Sequence, residues 1–349
     1  MIPLNKLTVL NTCNPVHIER ESDVYVDYRP ESGSWFTEDK MLKKCVSWHS
    51  IAACFETEFF VYKKDGWQNV YKYNNILLMV KDDIQELFPL VKKLKSMKKI
   101  VGIAFHENGN FFSMKSLDFA WLKQLKELVD QCDYFWNLNI PIEDMFTELF
   151  NVPVFSCWHG FPYEEWNHNF TVPKEKREGI LIGTRTLNQN LKRNTLYSIF
   201  GANKVAKQNN TFSTFFCEDQ LDIAQFEKYL YTLGLENIRV VKGPVSYEDW
   251  LKLIAKHKVL YHNDASDTLG QVVGDAALVD VISIGSLTVN SDAMFTSSPH
   301  LDNSIYVLSN FFDGKIRESL VKEFKEELTL KKLKQKHEKE LFPKVGINV

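Results

Sequence analysis

The chain has 349 residues, 44% of them hydrophobic and 25% charged, with a formal net charge of −3. That length points to about two domains, since one core seldom grows past ~250–300 residues. No apolar run of about 18 residues occurs, so no transmembrane helix is expected. The six cysteines (Cys13, Cys45, Cys54, Cys132, Cys157 and Cys217) form no CxxC pair and read as reduced, mostly structural thiols.

From the N-terminus, MIPLNKLTVLNTCNP lacks the basic and apolar regions of a leader, and a cytoplasmic location is expected. The first seventy residues are aromatic and irregular, with strand candidates at LTVL (7–10) and EFFVYKK (58–64). ILLMV (76–80) reads as a buried strand and DDIQELFPLVKKLKSMKK as the helix after it. IVGIAF (100–105) is a strand leading into HENGN, which has turn chemistry. SLDFAWLKQLKELVDQC predicts an amphipathic helix with an N-terminal Ser, YFWNLN a strand, IEDMFTELFN a helix and VPVFSC a strand. Strands alternating with helices argue for a parallel α/β sheet.

Between Trp158 and Gly179 the rhythm lapses into aromatic, polar and charged residues, which reads as a linker. It then restarts. GILIGT is a strand, LKRNTLYSIFG a helix, TFSTFFC a strand, and DIAQFEKYLYTLG a helix closed by Gly234. IRVVKG is a strand and SYEDWLKLIAKHK a helix with Ser246 as N-cap. VLYHND is a strand, LGQVVGDAALVD a helix and VISIG a strand; SLVKEFKEELTLKKLKQKHEKEL predicts one long charged helix. Two doubly wound sheets in tandem are expected, and such sheets bind ligands beyond the carboxyl ends of their strands. The basic runs Val91–Lys99 and Leu330–Glu340 read as solvated helix faces, or as patches facing lipid or nucleic-acid phosphate.

The segment SDTLGQVVGDAALVDVISIGS carries Asp267 and Asp275 in an otherwise small, apolar run. On a helix, eight positions return a side chain to within about 80° of its starting direction. Gly270 and Gly274 clear part of that face. Glycine costs a helix ~1 kcal/mol relative to alanine, so their presence points either to close approach of a ligand or to helix–sheet packing. The pair reads equally as ligand-facing carboxylates or as an N-cap and a satisfied, partly buried residue.

The stretch from Leu233 to Ser286 resembles the nucleotide-sugar domain of retaining glycosyltransferases with the GT-B fold. That family has a strand ending in G-x-V, a helix, a strand, and an E-x7-E element of the form S-x-x-E-T/S-F-G-x-x-x-x-E-A. Here KGPV (242–245), YEDWLKLIAKHK, VLYHND and SDTLGQVVGDAA follow without gaps, with Asp267 and Asp275 on the two glutamates. Asp280-Val281-Ile282 stands where the family has G-x-P. IVGIAFHENGN resembles the strand that ends in a cleft histidine, which puts His106 there. CWHGFPYEEWN resembles the interdomain turn, and GILIGTRTLNQNLKRN the strand and loop that supply two cations to the diphosphate. Residues 76 to 290 are covered, and the usual Gly-rich loop after the first strand is missing.

The resemblance implies two Rossmann-like domains facing across a cleft. Residues 1–157 would form an acceptor domain, 158–179 the linker, 180–315 the nucleotide-sugar domain, and 316–349 a helix packing back on the first domain. It implies a hexosyltransferase using a nucleotide diphosphate sugar, most readily a UDP-sugar, with no cofactor and, lacking an Asp-x-Asp element, no metal. Arg185 with Lys192 or Arg193 would neutralise the diphosphate. Thr268, Leu269 and Gly270 amides would reach phosphate or sugar, Asp267 the donor-sugar hydroxyls, Asp275 the ribose, and backbone around Gly243 to Val245 the base. His106 would sit near sugar or acceptor. The acceptor would be a glycan, a lipid-linked saccharide, a protein or DNA, in a bacterial or phage setting, with peripheral membrane contact through Val91–Lys99. The rivals are a catalytically silent GT-B-like partner or glycan-binding subunit, and an epimerase of the same fold.

Overall fold

The computed structural model describes residues 5–12, 49–80, 84–105, 118–138, 140–166, 169–183, 195–217, 223–242, 246–262, 271–285, 301–316 and 319–347. Two all-parallel sheets organise them. The first contains β1 (Leu7–Asn11), β2 (Phe59–Val61), β3 (Asn75–Val80), β4 (Ile100–Phe105), β5 (Tyr134–Asn137) and β6 (Val154–Ser156), in the order β2-β1-β3-β4-β5-β6. The second contains β7 (Ile180–Ile182), β8 (Ser213–Cys217), β9 (Ile238–Lys242), β10 (Val259–Tyr261) and β11 (Ile282–Ile284), in the order β11-β10-β7-β8-β9.

The expected strands form because a parallel sheet covered on both faces accepts continuous apolar runs. In β3, Leu77 and Met79 enter one core while Ile76, Leu78 and Val80 enter the other. Helices α1 (His49–Cys54), α2 (Leu87–Ser96), α3 (Phe119–Val129) and α4 (Glu143–Leu149) accompany the first sheet. With the second run α5 (Thr195–Gln208), α6 (Ile223–Thr232), α7 (Tyr247–Ala255), α8 (Gln271–Leu278) and α9 (Leu301–Phe312). The last of these was not anticipated. α10 (Ser319–Glu327) and α11 (Leu330–Lys336) end the chain.

In α2, Leu87, Leu90, Val91 and Leu94 are buried at i, i+3, i+4 and i+7. Pro89 stands in the first turn, where its missing N–H costs nothing. The basic run on this helix is partly used internally: Lys95 holds Asp133 at 2.6 Å and Lys99 donates to Asn74, while Lys92, Lys93 and Lys98 are exposed. α3 begins later than expected. Asp118, not an N-terminal Ser, caps it by accepting from the Trp121 amide at 3.0 Å. Ser246 does cap α7, accepting from the Asp249 amide and donating to its carboxylate.

Gly201 does not end its helix as expected; α5 runs on to Gln208. A Cβ there would meet the Tyr261 hydroxyl and Ile305 at 3.0 Å, so the glycine lets α9 and β10 approach α5. Gly234 does close α6, with φ +73°.

The long C-terminal helix is interrupted. Thr329 accepts from the Lys332 amide and starts α11 afresh, and the backbone there joins Phe161, whose N–H donates to Leu328 at 2.7 Å. From α11 onward the chain lies on the first sheet. His337 sits 4.3 Å from Trp136 and 4.5 Å from Phe155, ring centre to ring centre, and Lys336 donates to the Ser156 carbonyl at 2.9 Å. Among the described residues no helix is long and apolar enough to cross a membrane.

Candidate functional site

In the second sheet the chain runs β7 to β8 to β9, then returns past β7 to β10 and β11, so the strand order reverses between β7 and β10. Those two strands pair Val259 with Ile180, Leu260 with Leu181 and Tyr261 with Ile182. The Gly183 amide, just past β7, donates to the Tyr261 carbonyl at 2.8 Å. A Cβ on Gly183 would lie 3.1 Å from that of His262, just past β10, so the two strand exits are in contact. In an open α/β sheet this is where a crevice forms for a ligand.

The candidate residues issue from these exits. Arg185, Lys192 and Arg193 follow β7, and Asp267, Thr268, Leu269 and Gly270 follow β10. Gly243 and Val245 follow β9, two strands from β7 and so about 10 Å across the sheet. His106 follows β4 of the first sheet. All of these side chains lie outside the described residues. Of the sequence-predicted site, Asp275 is the residue whose surroundings are described.

Asp275 is completely buried on α8. Its Oδ1 accepts from the Tyr247 hydroxyl at 2.7 Å and its Oδ2 from the Trp250 indole at 3.0 Å, both donors lying on α7. The carboxylate therefore ties α8, which follows the β10 exit, to α7, which follows the β9 exit. The side chain is one methylene shorter than the glutamate of the resemblance, and its oxygens meet donors on the adjacent helix.

Gly274 has an equally specific role. A Cβ there would stand 1.9 Å from the ring of Phe161. The notch is filled by an aromatic of this chain that comes from the segment read as a linker, not from a sheet. Tyr163 stacks on Phe161 at 5.4 Å and 13°. Burial, with the Asp275 carboxylate nearby, holds the Tyr163 phenol well above its ordinary pKa. The segment read as a linker thus contributes packed aromatics to the wall beside Asp275.

Asp280, in the position where the resemblance has glycine, adopts φ +57°. Aspartate is among the few residues that visit this region. The turn ends α8, with the Val281 amide reaching the Ala276 carbonyl at 2.9 Å. Lys325 holds the Asp280 carboxylate at 2.6 Å, and Arg177 Nη1 donates to its carbonyl at 2.6 Å.

His257 and three cysteines are engaged in packing. His257 bridges the Leu253 carbonyl and the Thr214 hydroxyl at 2.8 Å each, and burial lowers its pKa. Cys54, Cys132 and Cys157 are free and buried; burial raises all three thiols, Cys157 to about 12. Among the described residues no group of three His, Cys, Asp or Glu converges on a metal position.

No family model matches this sequence, and no curated protein matches it. Solved structures do. Anabaena HepE in complex with UDP superposes with a TM-score of 0.60 over 95% of this chain and 97% of that one, at 11% identity. The lipopolysaccharide outer core galactosyltransferase WaaB, in its apo form, gives 0.57 over 97% and 99%, at 10% identity. The GtfA/B complex gives 0.52 over 78% of this chain, at 11% identity; there the match spans 57% of the longer protein. The chain has the GT-B fold.

The second sheet with its β7/β10 reversal is the half onto which the sequence resemblance maps Asp267 and Asp275 as an expectation. Sequence reasoning located the strand exits and missed their supports. Tyr247, Trp250 and Phe161 gave no local signal, because each meets Asp275 or Gly274 from a distant part of the chain.

Proposed function

We propose that this GT-B chain is a glycosyltransferase that moves a hexose-type sugar from a nucleotide diphosphate sugar, a UDP-sugar first, to a hydroxyl acceptor. The observation that carries the reading is the β7/β10 reversal. Its two strand exits touch, and the sequence carries Arg185, Lys192 and Arg193 after the first and Asp267 after the second. Cations and a polar acid in the sequence after these exits suit a diphosphate bearing a hydroxyl-rich sugar. The likeness to HepE, a structure with bound UDP, over nearly the whole chain supports the same reading.

In this scheme bond cleavage puts negative charge on the departing diphosphate. Arg185, in a bidentate grip, and Lys192 or Arg193 neutralise it, aided by the Thr268, Leu269 and Gly270 amides. Asp267 orients the sugar through its hydroxyls and backbone at Gly243 to Val245 holds the base, while Asp275 reaches the ribose by exchanging one of its bonds to Tyr247 or Trp250 for a ribose hydroxyl. His106 hydrogen-bonds near sugar or acceptor. The transfer retains anomeric configuration and needs no metal. The acceptor is a glycan, lipid-linked, protein or DNA hydroxyl, and Lys92, Lys93 and Lys98 give peripheral contact with an anionic membrane.

The test is a panel of UDP-, GDP-, ADP-, TDP- and CMP-sugars, read by thermal shift and by release of free nucleotide. A melting shift with UDP-sugars that Arg185→Ala removes is the expected result; no response to any donor would refute the reading. A second reading, a catalytically silent GT-B partner or glycan-binding subunit, is favoured by the internal engagement of Asp275. Binding without release of nucleotide in the presence of candidate acceptors would select it.

A further inference from the structure

The crossovers of the second sheet sort its helices. Along the order β11-β10-β7-β8-β9, the steps β7 to β8 and β8 to β9 run one way, and those from β9 to β10 and β10 to β11 the other. Right-handed connections therefore put α5 and α6 on one face, and α7 and α8 on the opposite one. The tie of Asp275 to Tyr247 and Trp250 joins α7 and α8 accordingly. α9 belongs to the first face, because Ile305 meets α5 at Gly201.

The layer of α9, α5 and α6 carries an unusual outer surface. Nine large hydrophobic residues are exposed among those described, and six of them lie on these three helices. They are Leu196, Tyr197 and Phe200 on α5, Tyr229 and Tyr231 on α6, and Tyr306 on α9; none lies on α7 or α8. In α5 the buried Ile199, Ala202, Val205 and Ala206 mark the inward direction. At 100° per residue Leu196, Tyr197 and Phe200 point the other way, where a surface helix ordinarily carries charge. With exposures of 45–67% and ~200 Å² for a large side chain, the six offer roughly 700 Å² per copy. That approaches the ~800 Å² each partner gives to a standard interface, and a monomer seldom leaves so large an apolar area free.

We propose that this layer is a symmetric interface with a second copy of the chain. Its shape favours a helical protein surface over a bilayer. On α6 the buried Leu230 marks the inward side, so Lys228 stands at the crest and Tyr229 and Tyr231 on the two flanks. A flat bilayer meets the charged crest first, whereas a helix lying alongside reaches the flanks, ridge in groove. The layer also supplies the ridge, Leu196 and Phe200 at i and i+4 on α5. A surface with both ridge and groove suits a two-fold pair, in which each copy gives and receives the same contact. The inference does not depend on the donor-sugar reading.

The experiment is sedimentation equilibrium of the full-length chain from nanomolar to high micromolar concentration. A reversible rise to the mass of two chains is expected. Phe200→Glu and Tyr306→Glu, outward on different helices, should each weaken the pair about tenfold or more and keep the parental circular dichroism. Phe119→Glu, highly exposed on α3 of the first half, should leave the pair unchanged. A monomer at every concentration, a pair that both layer variants leave intact, or one that Phe119→Glu breaks equally would overturn the proposal. So would a monomer that sediments with phosphatidylglycerol vesicles and loses this with Phe200→Glu, which would give the layer to a bilayer instead.

Discussion

Asp275→Ala removes the acceptor of two buried donors at once, the Tyr247 hydroxyl and the Trp250 indole. A buried donor left without a partner costs about 1–3 kcal/mol, and bonds to a charged group sit at the upper end. Relief from keeping a carboxylate out of water offsets part of this, and a net loss of about 3–5 kcal/mol is expected, the range found when one side of a buried charged contact is deleted. With a urea m-value of about 2–3 kcal/mol/M, a loss near 4 kcal/mol lowers the midpoint by about 1.3–2 M. Asp275→Asn, which keeps one acceptor, should lose less. Tyr247→Phe should cost about 1 kcal/mol or more in the native background and nearly nothing beside Asp275→Ala, because the bond it removes is already gone. Urea melts followed by tryptophan fluorescence give all four corners of the cycle. A midpoint for Asp275→Ala within about 0.3 M of the parent, or additive Tyr247→Phe and Asp275→Ala effects, would refute the tie between α7 and α8. UDP affinity of Asp275→Asn, measured below its melting range, separately tests the ribose assignment, and unchanged affinity would remove it.

Gly274→Ala drives a methyl into the Phe161 ring and should cost about 1–3 kcal/mol, partly recovered in a Phe161→Leu background; equal melting temperatures would count against the notch. Burial lowers the pKa of His337 to about 3 in the folded chain, below the ~6.5 of an unfolded histidine. The unfolded state therefore takes up the proton first, and stability falls as pH drops below ~6.5, by about 2 kcal/mol at pH 5 from this group. His337→Phe should flatten the denaturation midpoint between pH 7 and 5, and an identical slope would contradict the assignment. At Asp280, glycine should leave stability within about 0.5 kcal/mol, since relief of the left-handed backbone offsets the lost Lys325 pair, whereas valine should cost about 1–2 kcal/mol. Thermal melts of the two variants distinguish them, and equal effects would mean that the backbone there is unstrained.

Strands were legible because burial on both faces leaves little besides aliphatic and aromatic residues, as in ILLMV. Caps were legible only where one candidate stood alone. Ser246 had no competitor, whereas Asp118 lay two residues past an equally suitable Ser116, and the geometry at the Trp121 amide decides between them. Gly201 and Gly234 carry the same local signal. One sits at a helix crossing and the other in a left-handed turn, and the difference lies in Ile305 and Tyr261, far along the chain. Thr329 was hidden inside a charge pattern that continues unchanged across it, although Phe161 ends the helix there. The spacing of the two aspartates singles them out as candidates, but the partners of Asp275 lie 25 and 28 residues earlier, beyond any local periodicity.

The meeting of Phe161 with Leu328 and Thr329 has a mechanical consequence. The chain leaves the first sheet for the second near Phe161 and comes back near Thr329, and these two passages are hydrogen-bonded side by side. Two separated tethers would lock the halves together, but two adjacent ones act as a single hinge line about which they can rotate. Phe161 lies on that line with its ring seated at Gly274, one residue from Asp275. The ring therefore joins the crossing directly to α8, the helix that carries Asp275.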